Sequence, residues 1–391
     1  MNVESLSDLD RTLGCMVGGA VGDALGYPVE FQSWPAIARH YGSSGITRYE
    51  LDSGGLALIS DDTQMTLFTA AGLLLGMTRG YMRGIMGRFD EYCRHAYIDW
   101  LHTQEWPSRK EGARVVSWLM NVPELYSRRA PGNTCITALK TLEVGKEVHN
   151  DSCGCGGVMR TAPVALISYL HDYRGNCNMV AAQVARLTHL HPLGFLPSAV
   201  LNDILMQILG GKACDSESLH RAVLVAAGRL PSVMSEDDDG KSYGTLWPRH
   251  VVQLQEILAK AIDLAHTDIP DHEAIESIGG GWTGHEALAI AVYSAVKHAD
   301  SFEDAIISAV NHSGDSDSTG AICGNIVGCL LGRNSIPACY TEKLELLDVI
   351  EEMAHDLYTG CIIGEYERCD TPEKRRWEKK YCYFEWPKGE E

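Results

Sequence analysis

Two short clusters hold the residues best suited to chemistry in this chain: Ser60-Asp61-Asp62-Thr63 and Gly314-Asp315-Ser316-Asp317-Ser318-Thr319. Each sets two carboxylates beside hydroxyls, just ahead of an apolar stretch. Carboxylates this close repel one another, so keeping them ionised takes a cation or many hydrogen-bond donors. Oxygen donors with no adjacent imidazole or thiolate suit a hard cation, Mg2+, Mn2+ or Ca2+, and not zinc. The competing reading is that one Asp in each cluster caps a helix. Capping needs only one short polar residue per helix, so two doubled clusters favour a cation. With Ser60 and Ser318 near helix starts, the carboxylates would sit where free N–H groups and the helix dipole favour negative charge. Four carboxylates plus hydroxyls exceed what one Mg2+ takes, since that ion keeps waters. Two adjacent ions fit the count better.

Two further segments add chemistry. Gly22-Asp23-Ala24-Leu25-Gly26-Tyr27-Pro28-Val29-Glu30 carries Glu30 out of a helix through a Gly/Pro turn, a placement suited to an acid or base at a cleft mouth. Asp23, inside that helix, reads as a structural hydrogen-bond acceptor. Cys153-Gly154-Cys155-Gly156-Gly157-Val158-Met159-Arg160 precedes a helical run, and successive glycine N–H groups at a helix start cradle phosphate oxygens. Its Cys-Gly-Cys spacing is wrong for a redox or zinc pair. His189, His191, His285 and His312 read as hydrogen-bonded core residues, with His312 placed to orient the second cluster.

The elements that must hold these groups read as one all-α domain. Apolar residues recur three and four apart in 65–77, 162–170, 179–187, 199–209, 251–264 and 286–297. No sustained period-two alternation bounded by hairpin turns argues for a large sheet. Gly14, Gly18, Gly22 and Gly26 fall every fourth residue, as do Gly320, Gly324, Gly328 and Gly332. Interior glycine costs a helix about 1 kcal/mol relative to alanine. Such rows therefore point to two central helices in close contact, holding the clusters rigidly. Gly26, beside Tyr27-Pro28, is expected in a turn.

The 391 residues carry 52 acidic and 33 basic side chains, a formal charge of −19, which argues against nucleic-acid binding. No apolar run is expected to reach the roughly eighteen residues needed to span a bilayer. The acidic start, Met1 to Asp10, does not resemble a leader, and thirteen dispersed cysteines suit a reducing compartment, so a cytoplasmic monomer is expected. Glu236-Asp237-Asp238-Asp239-Gly240 reads as a solvated loop, because Lys241 falls where a calcium loop needs an oxygen donor. The tail from Glu365 is expected to dock through Trp377, Tyr381, Tyr383, Phe384 and Trp386.

Taken in order and spacing, four segments resemble the ADP-ribosylglycohydrolase family: 14–30, Ser60-Asp61-Asp62-Thr63-Gln64-Met65, 156–160 and 312–320. Thr188-His189-Leu190-His191-Pro192 and Gly281-Trp282-Thr283-Gly284-His285-Glu286-Ala287 match as well. The resemblance implies a catalytic domain over 11–335, with 336–391 as a C-terminal helical and aromatic extension packed on it. It implies a compact helical fold with a binuclear Mg2+ centre, Mn2+ being the alternative, and hydrolysis of the bond between ADP-ribose and a modified side chain. By position, Ser60, Asp61, Asp62, Asp315, Asp317 and Ser318 would be the metal ligands. Glu30, Asp62 and Asp61 would be the catalytic carboxylates. Gly156, Gly157, Met159 and Arg160 would face the diphosphate and ribose, and Gly281, Trp282, Thr283, Gly284 and His285 the adenosine end. Cysteines at 153 and 155 depart from the family's usual loop. Ser at 60 and 318 tilts the expected substrate toward arginine-linked ADP-ribose on a protein. Serine-linked ADP-ribose, a small ADP-ribose conjugate, and a binding-only immunity or structural role are the alternatives.

Overall fold

The computed structural model describes residues 6–110, 114–173, 175–233 and 240–382. At its centre the two glycine rows meet. Gly14, Gly18 and Gly22 of the first helix (Asp8–Gly26) oppose Gly328, Gly324 and Gly320 of the helix Ser316–Leu331, in antiparallel register. A Cβ added at Gly22 would lie 2.0 Å from the carbonyl oxygen of Gly320, and one at Gly324 2.0 Å from that of Gly18. The two backbones are therefore in direct contact. Gly26 is the last helical residue, not a turn residue. A Cβ there would meet the carbonyl oxygen of Ser316 at 2.3 Å, so close packing and not turn geometry calls for glycine. The turn begins one residue later, where Pro28 is tolerated because its missing N–H falls in a first helical turn.

Around this pair the fold is all-α. Among the described residues the only extended pairings are isolated bridges, Ala57 with Leu344 and Gly154 with Thr283. The periodic segments all lie in helices: Asp61–Arg83, Ala162–Leu170, Cys177–Arg186, Pro192–Leu209, Pro248–Ala265 and Gly284–Lys297. Leu347–Thr359 packs Ile350, Met353, Ala354 and Leu357 into the common core, against the first helix. Trp377, in the helix Pro372–Tyr381, donates to the Thr78 hydroxyl at 2.9 Å, and the Tyr381 hydroxyl donates to Asp356 at 2.6 Å. Tyr383, Phe384, Trp386 and the acidic run 236–239 lie outside the described residues.

One expectation needs correction. The helix Pro192–Leu209 is, by length and composition alone, long and apolar enough to cross a membrane. It is 94% buried inside the protein, and its Asp203 pairs with Arg229 at 2.8 Å. Its apolarity is that of a core helix covered on every side. All thirteen cysteines are free.

Candidate active site

The close contact of the two glycine helices brings the two acidic clusters together. Asp23, within the first helix, binds the start of the helix Asp61–Arg83 through its side chain. Its carboxylate accepts Ser60 N at 3.0 Å, Thr63 N at 3.0 Å and the Thr63 hydroxyl. Ser60 is the N-cap, accepting Asp62 N on its hydroxyl at 3.2 Å. Asp315 caps the helix Ser316–Leu331, taking Ser318 N at 3.3 Å, and Asp317 Oδ1 accepts the same N–H at 2.9 Å. Capping and clustering thus coexist, and capping uses only some of the oxygens. Asp62 Oδ2 is buried with no partner.

Glu30, Asp61, Asp62, Asp315, Asp317 and Ser318 line one cleft of about 280 Å³. Oxygens of Glu30, Asp315 and Asp317 converge within 4.8 Å of one another. Burial pushes Asp61 and Glu30 up to about 8 and Asp23 up to about 6. Burial and acidic neighbours hold Asp62 and Asp317 well above the usual carboxylate range, and Asp315 is raised by burial. Buried acids held this high lack a counter-charge. An all-oxygen set with one orphaned carboxylate oxygen fits a hard divalent cation, and the residues present could hold one. Ser60 is fully buried with its hydroxyl engaged in capping, and it does not line the cleft among the described residues.

The expected substrate loops form one wall. Cys155 N donates to Trp282 O at 3.2 Å and Gly284 N to Cys153 O at 2.8 Å, so loops 153–157 and 281–284 are tied together. Gly156, Met159 and Trp282 line the cleft. Gly157, Gly281, Thr283, Gly284 and His285 stand behind it. A Cβ at Gly157 would meet Gly194 O at 2.2 Å, and Gly281, at φ +79°, packs on Asp315 and Thr319. Arg160 is fully buried beneath the floor. Its guanidinium donates to Thr188 Oγ1 at 2.5 Å and lies 4.6 Å from the Tyr97 ring centre, so it does not reach into the cleft. His312 bonds Thr319 Oγ1 at 2.9 Å, and that hydroxyl bonds the Asp315 carbonyl at 2.8 Å. Burial lowers His189 to about 3 and His285 and His312 to about 4, which keeps all three neutral.

Several cleft residues carried no motif in the sequence. Phe31, at φ +64° and largely exposed, stacks on Trp282 with ring centres 5.1 Å apart at the mouth. Residues 130–135 form another part of the lining, where Gly132 N reaches Asp61 Oδ2 at 3.3 Å. Glu345 is buried far along the chain. It accepts Ile59 N at 3.1 Å and Arg129 Nη2 at 2.8 Å, and the Arg129 carbonyl accepts Asp61 N at 3.0 Å. No signal in the sequence marks it.

A family model described as ADP-ribosylglycohydrolase matches residues 4–365. The ADP-ribosyl-(dinitrogen reductase) glycohydrolase of Rhodospirillum rubrum is 26% identical over 348 residues, covering 86% of this chain and 91% of that protein. ADP-ribosylhydrolase ARH1 of Dictyostelium discoideum is 24% identical over 379 residues, covering 88% and 92% respectively. A solved structure titled ADP-ribosylglycohydrolase-related protein complex superposes with a TM-score of 0.61 at 21% identity, covering 91% of this chain and 99% of that one.

Proposed function

The chain belongs to the ADP-ribosylglycohydrolase family, and from that premise we propose that it removes ADP-ribose from arginine side chains of proteins, using two Mg2+ ions. The observation that carries the cation reading is the buried acidic cluster with its unpartnered Asp62 Oδ2, opening on a cleft walled by a glycine loop. Ser60 and Ser318 support the arginine linkage, as does the name of a further relative, the ADP-ribosylarginine hydrolase Tri1 of Serratia proteamaculans, 24% identical over 362 residues.

Asp61, Asp62, Asp315 and Asp317 would hold the cations, with Glu30 completing the set at the mouth. When bound, the cations supply charge that orients the ribose hydroxyls and makes water more acidic. Water attacks the anomeric carbon of the distal ribose, the carbon–nitrogen bond breaks, and the proton taken from the water is passed to the departing guanidine nitrogen. Asp62 or Glu30 takes the proton from the attacking water, since both face the cleft. Gly156 supplies an edge without a side chain against which the ribose and diphosphate can lie. A Cβ there would meet His189 at 2.9 Å. The Phe31–Trp282 stack lines the cleft and offers the substrate an aromatic face.

The test is release of ADP-ribose from arginine-linked and serine-linked conjugates, each with Mg2+ and with EDTA. Cation-dependent release from the arginine conjugate is the expected result. Release only from the serine conjugate would overturn the linkage, and release undiminished by EDTA would overturn the cation.

A further inference from the structure

Cys155 sits inside the acidic centre. Its Sγ lies 2.8 Å from Asp315 Oδ2, and it lines the same cleft as Asp62, whose Oδ2 is buried and unpartnered. The thiol is also held in place. Cys155 N is bonded to Trp282 O, and the flanking residues pair with Thr283 and Gly284. A hard-cation centre has no use for sulfur, because Mg2+ takes oxygen ligands. Thiolate instead selects zinc-class ions, which bind mixed sulfur and oxygen sites more tightly than Mg2+ or Mn2+.

We propose that Cys155 and Asp315 are the core of a ligand set for a thiophilic divalent cation of the zinc class, which competes with the hard cation for the centre. The inference rests on reading the acidic cluster as a cation site. On binding, the thiol proton leaves to solvent as the metal–sulfur bond forms, and no electrons are transferred. Geometry permits this with a small adjustment. Zinc–thiolate and zinc–carboxylate bonds of about 2.3 and 2.1 Å subtend a tetrahedral edge of about 3.6 Å. The Sγ–Oδ2 pair, now at 2.8 Å, has to open by roughly 0.8 Å. The four-coordinate ion would hold Asp315 in a position unlike that in a hard cation's shell. Zinc-class ions are therefore expected to inhibit reversibly.

The probe is Cd2+ alone, titrated into the reduced, chelator-stripped full chain and read by the ultraviolet thiolate-to-metal charge-transfer band and by calorimetry. Mn2+ binding is measured in parallel. Cys155→Ser should abolish the band from the tightest Cd2+ site and weaken Cd2+ by about tenfold or more, with a much smaller change for Mn2+. Cys339→Ser, whose exposed thiol does not line the cleft, should keep both. As a readout needing no variant, Cd2+ should protect Cys155 from alkylation in the wild-type protein, followed by peptide mass spectrometry, where Mg2+ protects less. Unchanged Cd2+ binding in folded Cys155→Ser, or no protection of Cys155, overturns the inference while Mn2+ binding upholds the centre. Failure of the wild-type protein to bind Mn2+ overturns the centre itself, and the inference with it.

Discussion

Replacing Gly22 with alanine should destabilise the protein, although alanine is the better helix former. The propensity change alone favours alanine by about 1 kcal/mol. Against it, the new Cβ would stand 2.0 Å from the Gly320 carbonyl oxygen, where ordinary contact begins at 3.4 Å. The obstruction is backbone on a packed helix, so no rotamer change relieves it, and the helices must part by about 1.4 Å at that level. Overpacking of this kind costs about 3 kcal/mol at the upper end of its usual range, leaving a net loss of about 2 kcal/mol. With an unfolding entropy of about 2 cal/mol/K per residue, that lowers Tm by about 2 °C in a chain of this length. Gly228 is the matched control. It lies in the helix Ser216–Arg229 with nothing within 4 Å of its would-be Cβ, so Gly228→Ala should gain up to about 1 kcal/mol. Paired denaturant titrations resolve the difference, and Mn2+ calorimetry adds a functional reading. Gly22 adjoins Asp23, which organises the first acidic cluster, so only Gly22→Ala should weaken cation binding. A Gly22→Ala protein as stable as Gly228→Ala would refute the contact between the helices.

Further outcomes follow from the site. Asp315→Ala or Asp317→Ala should abolish ADP-ribose release and cation binding together; near-normal turnover in either would remove both from the ligand set. Asp23→Asn turns an acceptor of several N–H and O–H bonds into a group whose amide opposes one of them, so it should cost about 1–3 kcal/mol in a urea titration and weaken cation affinity. Asp61 is held at about 8 in the cation-free protein, far above its value in an unfolded chain. Between those values the folded form keeps a proton that the unfolded form has lost. Stability without cation should therefore fall by about 1.4 kcal/mol per pH unit for that carboxyl from pH ~5 to ~8, and Mg2+ should flatten the slope in denaturant titrations. Trp282→Ala removes half of the aromatic pair at the mouth and should raise KM more than it lowers kcat in steady-state assays.

The acidic clusters and the helices behind them were readable because both are local patterns. Two Asp within three residues, followed by helical periodicity, need no knowledge of distant contacts. The glycine rows were readable for the same reason, since costly residues repeated at one spacing demand a neighbouring backbone; Gly332 is the exception, a C-cap at φ +79° whose neighbour is the Asp10 side chain. Gly26 was misplaced because Tyr27-Pro28 signals a turn, whereas the packing against Ser316 that calls for glycine comes from the other end of the chain. Arg160 follows a phosphate-cradle pattern, yet its guanidinium turns inward onto Tyr97 and Thr188, and rotamer choice has no signature in sequence. Glu345 lies beyond the expected domain boundary of residue 335 but anchors Ile59 and Arg129, which hold the Asp61 helix start. Nothing local distinguishes it from a surface glutamate.

The pairing of the first helix with Ser316–Leu331 also sets when the protein can come into being. Arg11 reaches the Leu330 carbonyl across 319 positions of chain. At about 5–20 residues per second of synthesis, the first helix waits roughly 15–60 s on the ribosome for its partner, its bare glycine face uncovered. Asp23 can organise the Ser60 turn early, since the two lie close in sequence. Asp315 and Asp317 are made long after both. A nascent chain therefore has neither a closed core nor both acidic clusters until then, and a product truncated before Asp315 is left with one cluster and an open ridge.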